Sequence, residues 1–331
     1  MIFYICQGII GIFLIFFSCK FYTNSIEWIG KKFNLNEGMI GAVLAAVGTA
    51  LPETIVPIIA IIFVPGKSGE EIGIGAILGA PFMLSTLAFG ITGLAVIFYF
   101  LVKKRELLID VNHKILSNDI LFFIFVYTLA ISVALLSMPF KKWFSILFFL
   151  IYSFYVFKTF LHERVDEEIE LQPLYFDKKE NPALKMVMLQ NIISLIGIII
   201  GARIFVLSIE KISLITNFSP FLFSLFIAPI ATELPEIFNS IIWIGKKKDT
   251  LSLGNISGAM IFQSSVVVAF GIMLTEWTLN QQAILSAMLA IISAIIIFLY
   301  IKIFKKLHPF ILLSGIVIYI VYILIILKFI K

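Results

Sequence analysis

The chain has 331 residues, of which 61% are hydrophobic and only 14% are charged. A typical soluble domain carries about 25% charged residues, and no fold in water could bury this much apolar surface. The composition therefore excludes a soluble enzyme or binding module and predicts an integral membrane protein. The net charge of +5 lies in short basic tags between apolar runs, so it indicates orientation in the bilayer and no nucleic-acid partner.

Apolar runs long enough to cross a bilayer recur along the whole chain. A helix needs roughly 20 apolar residues to span about 30 Å of hydrocarbon, and the unbroken Leu, Ile and Phe runs lack the alternation of a β-barrel. We therefore predict an all-α integral membrane protein with about ten transmembrane helices. Their ranges are 3–26, 38–64, 71–101, 119–138, 143–161, 184–210, 219–244, 251–274, 281–302 and 309–329.

The first apolar run, which contains Cys6 and Cys19, is predicted to be the first span. It starts without a basic region and has no small-residue cleavage site, so we do not expect a removable signal peptide. The two cysteines share one helix and are too far apart to bridge, so they are interpreted as small apolar packing residues.

The distribution of lysine and arginine predicts the orientation. The connections on one side of the membrane hold seventeen of these residues and those on the other side hold six. Because basic connections stay in the cytoplasm, we predict a multi-pass protein of the cell membrane with both termini outside. The connection 162–182 is then cytoplasmic, and this hydrophilic stretch is too short to form a domain.

The two halves of the chain share residues in the same order. Residues of the first half recur 183 positions later, and beyond a loop that is shorter in the second half they recur 179 positions later. At the offset of 183, Ser25-Ile26-Glu27, Thr49 and Leu51-Pro52-Glu53 match Ser208-Ile209-Glu210, Thr232 and Leu234-Pro235-Glu236. At the offset of 179, Gly75, Gly79, Ala80 and Ser85 match Gly254, Gly258, Ala259 and Ser264. Each half has five spans, an odd number, so the second half enters the membrane from the opposite side. Inverted repeats of this kind are typical of secondary transporters, with the substrate site near the bilayer midplane.

This pattern predicts the domain organisation. A first five-helix repeat occupies 1–161 and contains the ion-binding segment 41–90. The connecting loop 162–182 follows, and the second, inverted repeat occupies 183–331 with the ion-binding segment 220–271.

The glutamates of the repeat, Glu53 and Glu236, are the candidate ion ligands. Each lies in the middle of an apolar span, where a carboxylate costs several kcal/mol unless it is paired, protonated or bound to a cation. Neutralisation by Lys20 or Arg203 is the structural alternative. Two carboxylates at equivalent positions of a repeat favour an ion site.

The prolines and threonines beside these glutamates extend the candidate site. Pro52 and Pro235 have no N–H to donate to the carbonyls four residues earlier, so each helix is expected to be broken or kinked there and to offer free oxygens. Thr49 and Thr232 place hydroxyls about one turn from the glutamates. Hard oxygen ligands of this kind suit Ca²⁺, and a Cys/His cluster that would favour a softer metal is lacking in the sequence.

The helix that follows each glutamate-bearing helix begins with two glycines four residues apart, Gly75 and Gly79 in the first repeat and Gly254 and Gly258 in the second. Close helix packing alone could explain these glycines. Gln263, one turn beyond Ala259, is a polar residue in an apolar span and is predicted to line the site. Asn239 and Asn255 are weaker candidates that could simply bridge helices.

These motifs resemble those of the sodium/calcium exchanger family, in its prokaryotic sodium:calcium antiporter branch. The family pattern is Gly-Thr-Ser-Leu-Pro-Glu, followed by Gly-Asn-x-x-Gly-Ser with Asn or Asp four residues beyond the serine. The resemblance implies a ten-span fold and a ligand set that comprises Glu53, Glu236, Thr49, Thr232 and the backbone carbonyls of Ala46 and Pro229.

The chain also departs from the family pattern. The serine after the threonine is replaced by Ala50 in one half and Glu233 in the other, and the Asn/Asp positions hold Leu84 and Gln263. Both second-helix serines are replaced by alanine. A Ca²⁺ site is compatible with these changes, whereas sodium sites that need the serines are placed in doubt.

The sequence thus predicts a secondary active cation antiporter, not an enzyme, that exchanges Ca²⁺ against Na⁺ or H⁺ by alternating access. Glu233 favours H⁺, because a carboxyl beside Glu236 could gain and lose a proton. The alternatives are another cation/proton exchanger, a passive channel and, more remotely, a membrane-embedded carboxylate enzyme. The expected partners are inorganic cations and the lipid bilayer; no cofactor is expected, and the sequence identifies no protein partner.

Overall fold

The computed structural model describes residues 1–33, 50–137, 140–162 and 172–330. Within these ranges the chain forms ten helical segments. They are α1 (Ile2–Lys32), α2 (Leu51–Phe63), α3 (Lys67–Leu101), α4 (His113–Val133), α5 (Lys141–His162), α6 (Leu184–Thr216), α7 (Pro220–Gly245), α8 (Asp249–Leu274), α9 (Gln281–Phe304) and α10 (Pro309–Ile330). Of these, all but α2 and α5 meet the length and apolarity that a membrane crossing requires over the described residues.

The all-α fold is confirmed, and eight of the ten predicted spans correspond to helices long and apolar enough to cross a membrane. The span predicted at 38–64 lies partly outside the described residues, and the one predicted at 143–161 corresponds to α5. The helix ends differ most from the prediction in α1, α4 and α6, the last of which continues to Thr216 instead of ending at 210. The helix predicted at 119–138 begins six residues earlier, at His113. Asn112 explains this start, because its side chain accepts hydrogen bonds from the backbone N–H groups of Lys114 and Ile115, each at 3.2 Å. The first helix continues beyond residue 26 to Lys32, and its last turns carry polar residues that bond to a later segment of the chain.

The chain divides into two compact units. One comprises residues 1–73 and 150–223, and the other comprises residues 74–149 and 224–331. Each unit therefore takes segments from both predicted repeats, and the repeat boundaries at 161 and 183 stay a prediction from the sequence.

In the first unit, α1 packs along α6 through small residues. A side chain at Gly11 would lie 2.8 Å from the backbone nitrogen of Phe205 and 3.0 Å from the carbonyl oxygen of Gly201. Only glycine allows the two backbones to approach this closely, which is the usual way helices pack in lipid.

The described part of the hydrophilic connection is anchored on the same two helices. The carbonyl of Gln172 accepts hydrogen bonds from the indole of Trp28 (2.9 Å) and the amide of Asn24 (3.2 Å). Gln190 on α6 donates to the Phe21 carbonyl at 2.8 Å and accepts from the backbone N–H of Phe176 at 3.0 Å. Of the predicted loop 162–182, residues 163–171 lie outside the described part of the chain.

In the second unit, α3 and α8 each contain a five-residue π-helical segment, Leu84–Ala88 and Gln263–Val267. The two segments differ by 179 positions, the same offset that relates the repeats in the sequence. A π segment widens one helical turn and often marks a functional position. The carbonyl of Ser85 accepts a hydrogen bond from Ser293 on α9 at 2.6 Å.

A buried ion pair joins the connection after α3 to the turn between α7 and α8. Arg105 donates to both carboxylate oxygens of Asp249, at 2.7 and 2.6 Å, and to the carbonyl of Ile244 at 3.0 Å. The two side chains are only 4% and 2% exposed. The backbone N–H of Asp110 also donates to Asp249, at 2.9 Å, so this one carboxylate binds the connection between α3 and α4 at two points.

Candidate functional site

The second repeat places two carboxylates side by side on α7. Glu233 and Glu236 are 0% and 4% exposed, and each offers a carboxylate oxygen within 4.8 Å of the other. They lie three residues apart, a spacing that puts side chains on one face of a helix. Two buried anions this close repel each other, so the pair favours a shared positive charge.

Glu233 is held in place by two hydrogen-bond donors. Its Oε1 accepts from the hydroxyl of Thr232 at 3.2 Å and from Nε2 of Gln263 at 2.8 Å. Gln263 is 2% exposed and is the first residue of the π segment in α8. The structure thus places Thr232, Glu233 and Gln263, all candidates from the sequence, in one hydrogen-bonded group.

Three acceptor oxygens of Glu233, Glu236 and Gln263 have no hydrogen-bond donor among the residues that the structure describes. They are Oε2 of Glu233, Oε2 of Glu236 and Oε1 of Gln263. A buried acceptor without a partner is costly and rare, because it loses its hydration and gains nothing in return. Oxygen acceptors of this kind are the ligands that a cation with oxygen preference binds.

Helix α7 continues through both of its prolines, which corrects the expectation of a broken helix in the second repeat. Pro229 and Pro235 both lie inside Pro220–Gly245. Pro229 has no N–H for the carbonyl of Leu225. A side chain at Gly79 would collide with that carbonyl, so close packing of α3 on α7 accounts for this glycine.

The glycines of α8 differ from Gly79 in their described neighbours. A methyl group added at Gly254 or Gly258 would meet no atom of the described residues within 4 Å. In the first repeat, close packing on α7 explains Gly79.

A polar bridge between α7 and α8 lies next to Glu236. Asn255 donates to the carbonyl of Glu236 at 3.2 Å. Asn255 therefore bridges α7 and α8, which is one of the roles predicted for it from the sequence. Ser240 and Ser252 donate to each other's carbonyls at 3.1 and 2.9 Å. These two serines were missed in the sequence, although Ser240 lies one turn beyond Glu236 on the same face. Asn239, the other weak candidate, is exposed.

A further buried carboxylate, Asp119 on α4, was also missed. It accepts a hydrogen bond from Ser257 of α8 at 2.8 Å. In the sequence, the position of Asp119 at the edge of a predicted span could have indicated that this carboxylate is buried. Ser257 lies between Gly254 and Gly258, so Asp119 fixes α4 against the helix that carries Gln263.

In the first repeat, Glu53 lies in the first turn of α2, directly after Pro52, and is 4% exposed. A helix N-terminus is a favourable place for a carboxylate. The candidates Thr49 and Ala46 lie outside the described residues. A joint site of Glu53 and Glu236 stays a prediction from the repeat.

The two basic residues considered as counter-ions lie against aromatic rings. The ammonium group of Lys20 is 5.6 Å from the ring centre of Tyr175, and the guanidinium of Arg203 is 5.5 Å from that of Phe63. Cation–π contacts stabilise both positive charges where they lie. This placement favours the ion-site interpretation of the glutamates over simple neutralisation.

Comparison with known proteins adds to this picture. The sodium/calcium exchanger protein family matches residues 3–161 and 186–328. A relative, the uncharacterised membrane protein MJ0091 of Methanocaldococcus jannaschii, is 25% identical over 301 residues, which cover 89% of this chain and 88% of that protein.

Two solved structures share the fold. The H⁺/Ca²⁺ exchanger CAX has a TM-score of 0.77 with 16% identity, and the match covers 98% of this chain and 82% of that one. The sodium-calcium exchanger NCX_Mj has a TM-score of 0.61 with 21% identity, over 97% and 98% of the two chains. The multi-pass helical architecture, the repeated motifs and the family match across both halves lead to one conclusion: the chain belongs to the sodium/calcium exchanger family.

Proposed function

We propose that this membrane protein is a secondary active antiporter that carries Ca²⁺ in exchange for Na⁺ or H⁺. The observation that carries the proposal is the buried pair Glu233 and Glu236 on α7, with three acceptor oxygens that no described residue satisfies. Membership of the sodium/calcium exchanger family supports inorganic cations as the substrates. Glu53, the repeat counterpart of Glu236, is proposed as a ligand of the same ion.

The charge of the site makes the exchange obligatory. A pair of carboxylates without a cation is too costly to move through a low-dielectric environment, so the protein changes its facing direction only when a cation is bound. Ca²⁺ and the coupling ion would occupy the carboxylates in turn, never both fully. Alternating access then follows from the competition between the two ions.

The coupling ion is the open part of this proposal, and two observations point in different directions. The family favours Na⁺. Glu233, which lies beside Glu236 in place of the family's serine, favours H⁺, because a second buried carboxyl can hold a proton when Ca²⁺ leaves. The shared fold does not decide between them, since the similar structures include one exchanger of each kind.

Flux measurements in proteoliposomes test the proposal and identify the coupling ion. Uptake of ⁴⁵Ca²⁺ is measured with an outward gradient of Na⁺, K⁺ or H⁺, each imposed separately. An antiporter takes up Ca²⁺ only with its own coupling gradient. A passive channel gives Ca²⁺ uptake that does not depend on any of the three ion gradients. A membrane-embedded enzyme gives no Ca²⁺ uptake. Either result contradicts the proposal.

Glu233→Gln is expected to remove the pH response of Ca²⁺ exchange if H⁺ is the coupling ion. A proton on Glu233 cancels a charge that Ca²⁺ needs, so in the wild type Ca²⁺ binding weakens as the pH falls, and a pH gradient drives transport. Glutamine cannot take up that proton. The variant should therefore still bind Ca²⁺ but should lose its response to a pH gradient.

The matched control for this variant is Glu27→Gln, which neutralises a half-buried carboxylate of α1. It should keep the wild-type pH profile. If Glu233→Gln also keeps that profile, Glu233 is a fixed part of the site, and the result favours Na⁺ as the coupling ion.

The predicted orientation, with residues 162–182 in the cytoplasm, can be tested with a cysteine at Gln172 in a background without Cys6 and Cys19. The Gln172 side chain is exposed and only its carbonyl makes hydrogen bonds, so the substitution preserves the anchor. Cysteine at this position should resist impermeant thiol reagents in intact cells. A cysteine at the exposed Gln281, on the predicted outer side, should react readily, and the reverse pattern would show an inverted topology.

A further inference from the structure

The two repeats differ at one pair of positions that the structure brings into contact. In the second repeat, positions 233 and 263 hold Glu and Gln, whereas their counterparts in the first repeat are the apolar Ala50 and Leu84. Both positions are thus polar in one repeat and apolar in the other. The hydrogen bond of 2.8 Å between Gln263 and Glu233 shows that the two polar residues contact each other.

The pair changes the charge of the site. Without Glu233, the second repeat would offer the single carboxylate of Glu236, as the first repeat offers Glu53. With it, two buried carboxylates lie side by side and present an oxygen each within 4.8 Å of the other. A divalent cation compensates two of the negative charges at the site, whereas a monovalent cation compensates only one, where burial makes an uncompensated charge costly.

Gln263 fixes this arrangement and contributes an oxygen of its own. Its Nε2 donates to Oε1 of Glu233, and the hydroxyl of Thr232 bonds to the same oxygen. The second oxygen of Glu233, Oε2, is left without a donor from the described residues, as is Oε1 of Gln263. Because Gln263 is 2% exposed, no bulk water competes for these oxygens.

We propose that Glu233 and Gln263 form one specificity-determining unit that commits the cation site of the second repeat to a divalent cation with oxygen preference. This inference rests on the proposed function, whose site it specifies further. Glu233 supplies the second charge, and Gln263 holds that charge in place and offers an amide oxygen as a ligand. The first repeat lacks the unit, so the two repeats contribute differently to selection of the ion.

The test replaces the unit with the residues that stand at the same positions of the first repeat. Equilibrium binding of ⁴⁵Ca²⁺ to the full-length protein in detergent is measured for wild type, Glu233→Ala, Gln263→Leu and the double variant, with Na⁺, K⁺ and Mg²⁺ as competitors. Gln263→Asn, which stays polar but is one methylene shorter, serves as a milder variant in case the apolar ones do not fold. Glu210→Gln, a repeat-related carboxylate of α6 outside the pocket, is the matched control.

We expect the wild type to retain Ca²⁺ against a large excess of Na⁺ and the control to match it. Gln263→Leu and Gln263→Asn should each weaken Ca²⁺ binding by about 10- to 100-fold, the usual effect of losing a group that orients a metal ligand. Because the two residues act together, the double variant should lose less than the sum of the single losses, and its preference for Ca²⁺ over Na⁺ should fall.

Two results would overturn the inference. One is a double variant, or a folded Gln263→Asn, with wild-type Ca²⁺ affinity and selectivity. The other is a wild type that prefers Na⁺ to Ca²⁺. These outcomes differ from failure of the proposed function. If Ca²⁺ binds selectively and this selectivity depends on the unit, but no gradient-driven flux is observed, then antiport is refuted and the inference about the unit still holds.

Discussion

Glu236→Gln is expected to abolish gradient-driven Ca²⁺ transport while the protein stays folded. The carboxylate is 4% exposed and lies beside Glu233, and in the proposed function its negative charge holds the cation. Glutamine has nearly the same shape but removes the charge that attracts Ca²⁺. Because the empty site of the variant carries less charge, folding stability should be kept or slightly raised.

The same substitution at Glu53 should have the same effect if the two repeats contribute equivalent ligands. Transport is measured as ⁴⁵Ca²⁺ uptake in proteoliposomes, and folding is checked by the elution profile and melting midpoint in detergent. Glu210→Gln, which neutralises a repeat-related carboxylate on α6, should transport as the wild type does. Wild-type rates in Glu236→Gln and Glu53→Gln would remove both residues from the site.

The second large effect is expected on stability, from Arg105→Met. This change leaves Asp249 as a buried carboxylate without its counter-ion, and it also removes the hydrogen bond to the carbonyl of Ile244. Removal of one member of a buried ion pair typically costs about 3–5 kcal/mol. The turn between α7 and α8 should therefore loosen, and the melting midpoint in detergent should fall well below that of the wild type.

The double variant Arg105→Met with Asp249→Leu is the matched control. It removes both charges, and replacing a whole buried pair by apolar residues is often neutral. The double variant should thus recover much of the stability that Arg105→Met loses. Equal melting midpoints for the wild type and Arg105→Met would show that the ion pair contributes nothing to stability.

The architecture was predictable because lipid leaves the backbone few options. Long apolar runs must become helices, so the length of each run predicted its span, and Lys and Arg marked the connections. Errors arose at the polar ends. The start of α4 depends on the cap at Asn112. The last turns of α1 depend on hydrogen bonds from Trp28 and Asn24 to Gln172, which is 144 and 148 positions away from them in the sequence. Such distant partners leave no mark on hydropathy.

The internal repeat identified the candidate site more sharply than composition could. It selected Glu53 and Glu236 and drew attention to positions 233 and 263, where this chain departs from the family pattern. The sequence could not show that Glu233 and Gln263 contact each other, because they lie thirty residues apart on different helices.

Other features of the site were inaccessible for different reasons. Helix α7 continues through Pro235, although a proline inside a helix removes a hydrogen bond and locally favours a break, which is what the sequence predicted. Arg105 was counted only as one basic residue among many, although it forms a buried ion pair. A charge at the end of a span looks the same in the sequence whether it faces water or a partner.

The most direct test of the central claim is ⁴⁵Ca²⁺ uptake into proteoliposomes before and after the opposing ion gradient is collapsed with an ionophore. Exchange by a shared carboxylate site predicts rapid uptake while the Na⁺ or H⁺ gradient exists, loss of that uptake when the gradient is collapsed, and no uptake in Glu236→Gln. Uptake that continues unchanged after the gradient is gone, or that Glu236→Gln retains, would contradict the account.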